Sequence, residues 1–123
     1  MAETTTIQEV GLGTIAKYRL KSSTSNINLR DTENVTGWEF KVTGDGGEYT
    51  ITNSSDNVHI DATDQEAYII FIDTNKTGTG TLKGRVRMEI VDTDYIKPDS
   101  SETDPERNVR PEVSLAFDVL KVS

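Results

Sequence analysis

Few of the side chains from which active sites are usually built are available: there is one histidine, His59, and no cysteine. A lone imidazole can serve as general base for a serine only when a nucleophile is presented to it, and no Gly-x-Ser-x-Gly elbow occurs. Strand phase places His59, flanked by Asn57 and Asp61, on the solvent side, the ordinary position for a strand histidine. The missing thiols remove disulfide scaffolds and zinc ribbons together. Carboxylates are plentiful, with 21 Asp and Glu. A glycosidase pair, however, also needs a cleft walled by aromatics, and the single tryptophan, Trp38, falls in a core phase. Asp92-Thr93-Asp94, followed by Asp99, Glu102 and Asp104, offers hard oxygen donors of the kind calcium takes, so Asp92, Asp94 and Asp99 are the metal candidates. Ile96 and Lys97 break the EF-hand spacing, and an acidic run in a loop is ordinarily just solvated. Gly44-Asp45-Gly46-Gly47 lacks the lysine and helix of a phosphate loop and reads as a hairpin turn. Sequons at Asn34, Asn53 and Asn75 read as chance in a chain rich in Ser and Thr. No catalytic residue, cofactor or enzymatic activity is expected.

A formal net charge of −8 opposes both phosphate backbones and anionic lipid. No apolar run approaches the roughly 20 residues needed to span a bilayer as a helix. The expectation is no direct nucleic-acid partner and no membrane. Met1-Ala2-Glu3-Thr4-Thr5-Thr6 lacks the basic and apolar regions of a secretory signal, so synthesis in a cytoplasm is expected.

The elements that would position any site are strands. With 123 residues and only 33% hydrophobic content, one core must be assembled from cleanly patterned faces. Trp38-Glu39-Phe40-Lys41-Val42 alternates strictly, and the period returns at Tyr49-Thr50-Ile51 and Val58-His59-Ile60. It continues at Leu82, Val86, Met88 and Ile90, with Gly84 in the intervening slot marking a bulge or a close approach. A last strand is expected through Val113, Leu115, Phe117 and Val119, with its phase breaking at Leu120 and Val122. Tyr68-Ile69-Ile70-Phe71-Ile72 is continuously apolar, which marks a central strand covered on both faces or flanked by a partner chain. Ile15 to Leu20 and Ile27 to Leu29 read as shorter strands. Asp64 to Ala67 has room for a single helical turn. Turn signals recur at about the 8 to 12 residue spacing of sandwiches and barrels. The expected fold is all-β, an immunoglobulin-like antiparallel β-sandwich. Trp38, Phe40, Ile70, Val86, Met88, Leu115 and Phe117 are expected in one core between two sheets.

Two segments fall outside this pattern. Residues 1–14 read as an extended N-terminal arm, with Ile7, Val10 and Leu12 as partner-binding residues that a neighbouring subunit would bury. Residues 96–111 hold all three prolines and read as a long polar loop within a single domain spanning 15–123.

Trp38-Glu39-Phe40, the stretch from Gly78 through Gly84 to Ile90, and the Asp92-Thr93-Asp94-Tyr95 loop leading through Arg107 and Arg110 to Glu112-Val113 together resemble small virion structural proteins of tailed phages. The stretch looks in particular like the β-sandwich adaptor domains of head fibres and baseplates in crAss-like and related Bacteroides phages. The resemblance implies a non-enzymatic structural role in the virion, as capsid decoration, head fibre or tail/baseplate adaptor. It also implies contacts with other virion proteins and homo-oligomerisation within the assembly. The alternative is a carbohydrate-binding or surface-adhesion β-sandwich module, in which Tyr95 would stack on sugar.

Overall fold

The computed structural model describes residues 7–21, 23–24, 27–92 and 109–123. In chain order the elements are β1 (Gln8–Val10), β2 (Ile15–Lys21), β3 (Ser23–Thr24), β4 (Ile27–Asn28), β5 (Val35–Gly44), β6 (Gly47–Thr52), β7 (Val58–Ile60), β8 (Ala67–Asp73), α1 (Thr74–Thr77), β9 (Gly80–Val91), β10 (Val109–Val113) and β11 (Phe117–Val122). A large sheet runs β1-β11-β9-β5-β6, with β10 also paired to β9; a small sheet runs β2-β8-β7, and β3 pairs with β4. The small sheet corresponds to strands B, E and D of an immunoglobulin-type sandwich, and the large one to G, F, C and C′, so the protein is an immunoglobulin-like β-sandwich. All its described pairings are antiparallel except β1 with β11, which is parallel.

Alternation in the sequence becomes alternation in burial. Along β9, Leu82, Gly84, Val86, Met88 and Ile90 are buried while Lys83, Arg85 and Arg87 are exposed. The two sheets meet through rings. Tyr18 of β2 stacks on Phe40 of β5 at 6.0 Å between centroids, and Trp38 of β5 lies 5.3 Å from Tyr68 of β8. Of the expected core, Trp38, Phe40, Ile70, Val86 and Met88 are buried, and Phe117 is half-buried against the same cluster. Leu115 is instead 90% exposed. The last strand is not continuous: β10 and β11 pair with successive stretches of β9, and Ser114 to Ala116 form the step between them. The phase break at the C-terminus is a β-bulge, a register shift between Asp118 and Lys121 that turns both Val119 and Leu120 inward.

The 96–111 loop is shorter at its C-terminal end than expected, because Val109, Arg110 and Pro111 belong to β10, paired to Val91, Ile90 and Glu89. Pro111 is tolerated there because β10 pairs on one side only. The helical turn falls at Thr74–Thr77 rather than 64–67. Asp73 caps it by accepting from the Asn75 N–H at 3.0 Å, whereas Asp64 accepts from the Glu66 N–H at 2.9 Å in a tight turn.

At one pole of the sandwich two turns are pressed together. The β5–β6 hairpin closes through Asp45 and Gly46, with Gly44 paired to Gly47. The Gly46 N–H donates to the Thr77 carbonyl at 2.8 Å, and a Cβ on Gly78 would lie 2.3 Å from the Gly46 nitrogen.

Candidate functional site: two outward sheet faces

The N-terminal residues expected to form a free arm are, where described, a strand of the domain's own sheet. Gln8, Glu9 and Val10 pair in parallel with Leu120, Lys121 and Val122. Ser123 N–H donates to the Val10 carbonyl and Leu12 N–H to the Ser123 carbonyl, both at 2.9 Å. An edge left open by β11 satisfies this short segment's backbone without help from a neighbour. Val10 packs on the core, Ile7 is half-buried and Leu12 is 53% exposed, so the three candidate contact residues do not form one surface. Gly13 and Thr14 are pinned by Thr74, whose hydroxyl accepts from the Gly13 N–H at 2.9 Å and donates to the Thr14 carbonyl at 2.7 Å.

Of the calcium candidates, Asp94 and Asp99 lie outside the described residues. Asp92 accepts from Arg110 Nε at 2.8 Å, and the same guanidinium reaches Glu112. Both carboxylates hold Arg110 in its charged form. Among the described residues no cluster of acidic, histidine or cysteine side chains has the geometry to hold a metal.

The outward face of the small sheet carries an apolar row. In the β8 run, Tyr68, Ile70 and Ile72 face inward. Ile69 and Phe71 point outward and are only half-buried, between Lys17 and Arg19 on β2 and His59 on β7. Register sets Arg19 and His59 on either side of Ile69, and Lys17 beside Phe71. The His59 ring meets Phe71 edge-on at 5.3 Å, with no hydrogen-bond partner among the described residues. Ile15 and Ile60, 65% and 66% exposed, extend the apolar area toward its margins.

The loop from Asp61 to Glu66 walls one end of this face. Asp61 is buried, takes Arg19 Nε at 2.7 Å, and accepts from both the Thr63 N–H and hydroxyl at 2.9 and 2.8 Å. The Thr63 hydrogen bonds, aided by Arg19, hold its carboxyl below the ordinary aspartate range. Asp64 is likewise held low, first by the Glu66 N–H and then by Lys21. Arg30 donates to the carbonyls of Asp61 and Asp64 at 3.2 and 3.0 Å and lies over the Tyr68 ring. The continuous apolar run at 68–72 signals this face in the sequence, while the Arg19–Asp61 brace leaves no local pattern.

The outward face of the large sheet is polar and holds a groove of about 410 Å³ lined by the cations Lys41, Lys83, Arg85 and Arg87, the carboxylates Glu39 and Glu48, and the small or apolar Ala116 and Val113. This second face was not legible as a site from residue types, since it draws its members from strands far apart in the chain. Compared with known proteins, the chain matches no family model, no curated protein and no solved structure.

Proposed function

We propose that the chain is a non-enzymatic structural protein that works through protein–protein contacts within an assembly. The setting is the virion of a tailed phage, among other virion proteins and further copies of itself; this part of the reading rests on the sequence resemblance. The observation that supports contact as the mode of action is the Ile69–Phe71 row. A sandwich needs apolar residues only on the inner face of each sheet, yet β8 presents apolar side chains on both. An apolar centre rimmed by Lys17, Arg19 and His59 has the anatomy of a protein interface. The glycan-binding alternative has less support: no aromatic side chain is among the exposed large hydrophobic residues described, and Tyr95 lies outside them.

Particles purified from the native source, imaged by negative stain and quantified by mass spectrometry, should contain the protein at fixed, symmetric stoichiometry. The Phe71→Glu variant should fold and melt close to wild type but be missing from the particles. Its incorporation at wild-type levels would reject this face as the contact. Absence of the wild-type chain from particles would reject the virion setting.

A further inference from the structure

The outward side of β9 carries three exposed cations in succession, Lys83, Arg85 and Arg87. Across the ladder, Arg85 stands directly opposite Lys41. The middle arginine thus has positive neighbours on three sides. On the fourth lie small residues: Ala116, and Ser114, whose N–H and hydroxyl exchange 2.9 Å hydrogen bonds with the backbone of Val86.

Each surrounding cation has its own carboxylate. Lys83 pairs with Asp118, Arg87 with Glu89 at 2.6 Å, and Lys41 with Glu39 and Glu48 at 3.6 and 3.9 Å. Arg85 has no ion-pair partner among the described residues, although the sequence carries 21 acidic side chains. Like charges directly opposed in a ladder are destabilising. A local conflict of this kind, in a chain with net charge −8, is the sort of exception expected where a surface serves something other than stability. Beside the groove, Val113 is 52% and Leu115 is 90% exposed.

We propose that this groove docks an acidic, extended segment of a partner protein, with one carboxylate seated on Arg85 and an adjoining apolar side chain resting on Val113 and Leu115. Charge complementarity selects the occupant. A carboxylate seated there supplies Arg85 with the ion-pair partner that each neighbouring cation already has, and the guanidinium presents a two-pronged donor that matches it. The apolar margin supplies contact area that a free inorganic anion would leave unused. The surface is on the large sheet and is separate from the Ile69–Phe71 row.

Fluorescence anisotropy with a labelled peptide of alternating Glu and Leu tests the assignment on the full-length chain. The peptide should bind, and binding should fall as salt rises. Arg85→Glu should weaken it by at least about tenfold, and Leu115→Ser by about three- to tenfold. The Arg85→Glu protein should melt at or above the wild-type temperature, because the substitution relieves the cationic cluster; Arg85→Gln provides a neutral variant for the same comparison. Unchanged affinity in both Arg85 variants would overturn the proposal. So would equal binding of an alternating Lys-Leu peptide, or full displacement of the peptide by inorganic phosphate at equimolar concentration. A concentration-dependent dimer in sedimentation that Arg85→Glu abolishes would replace the acidic segment with a second copy.

Discussion

Gly84 lies so close to the ring of Phe40 that a Cβ on the glycine would sit 2.6 Å from Phe40 Cε1, and equally 2.6 Å from Val119 Cγ2. The Phe40 and Phe117 rings stack 6.0 Å apart, and Phe117 is the residue paired to Gly84 across the ladder. The missing side chain is the space these groups occupy. Gly84→Ala should therefore destabilise the fold by about 1–3 kcal/mol through overpacking. Urea unfolding measures it, and an unchanged midpoint would show that the rings are not packed in this way.

Trp38, 4% exposed, joins the two sheets through Tyr68, and its indole N–H has no acceptor among the described residues. Trp38→Ala should cost about 3–5 kcal/mol. Trp38→Phe should cost much less, since it keeps most of the ring while removing the unpaired donor. Near-ultraviolet circular dichroism and thermal melts of the two variants provide the comparison; equal losses would mean that ring volume is not what Trp38 contributes.

Asp61 and Asp64 give the fold an acid-sensitive brace. Their folded-state carboxyls are held below the ordinary value of 3.8, so the unfolded chain binds protons more readily than the folded one. Stability from this source is present above that value and is lost as pH falls through the depressed folded values. Lys21, raised by Glu66 and Asp64, runs the other way: its contribution is present below its ordinary value of 10.5 and is lost as pH rises through the raised one. In urea titrations from pH 6 to 2, Asp61→Asn should flatten the acid limb while keeping an acceptor for Thr63. An acid limb identical to wild type would reject the brace.

Deleting residues 2–10 should leave a folded but weaker domain. Loss of the parallel strand exposes the core surface beneath Val10 and unpairs the edge of β11, at a cost of about 1–2 kcal/mol. Thermal unfolding of the truncated chain is the measurement. A melting temperature equal to wild type would show that Gln8–Val10 is not held in the sheet in solution.

How much the sequence revealed followed from the range of the signals involved. Period-two alternation carries β5 and β9 almost residue by residue, because facing inward or outward is a property of each strand alone. Gly84 stood out as either a bulge or a close approach, and packing against Phe40 and Val119 makes it the second. Leu115 was misplaced because alternation continues through Val113, Leu115 and Phe117 even though the chain steps from one stretch of β9 to the next, and only pairing reveals the step. Gln8–Val10 looked like an arm because a short parallel strand takes its stability from a distant partner, the far C-terminus. The outward apolar row announced itself in the unbroken run at 68–72. The Lys41–Arg85 opposition did not, since it exists only once β5 and β9 are set in register.

The contact between Gly46 and Gly78 also fixes where the architecture can change. Backbone meets backbone there, and the turn leaving the small sheet is hooked onto the hairpin of the large one. A graft, tag or lengthened loop placed at Asp45 and Gly46 would have to part the layers before it could be accommodated, so this end of the sandwich is closed to elaboration. Diversification of the scaffold, by natural drift or in the laboratory, is steered toward the sheet surfaces, where exchanging one outward side chain alters what the protein meets without disturbing how it is built.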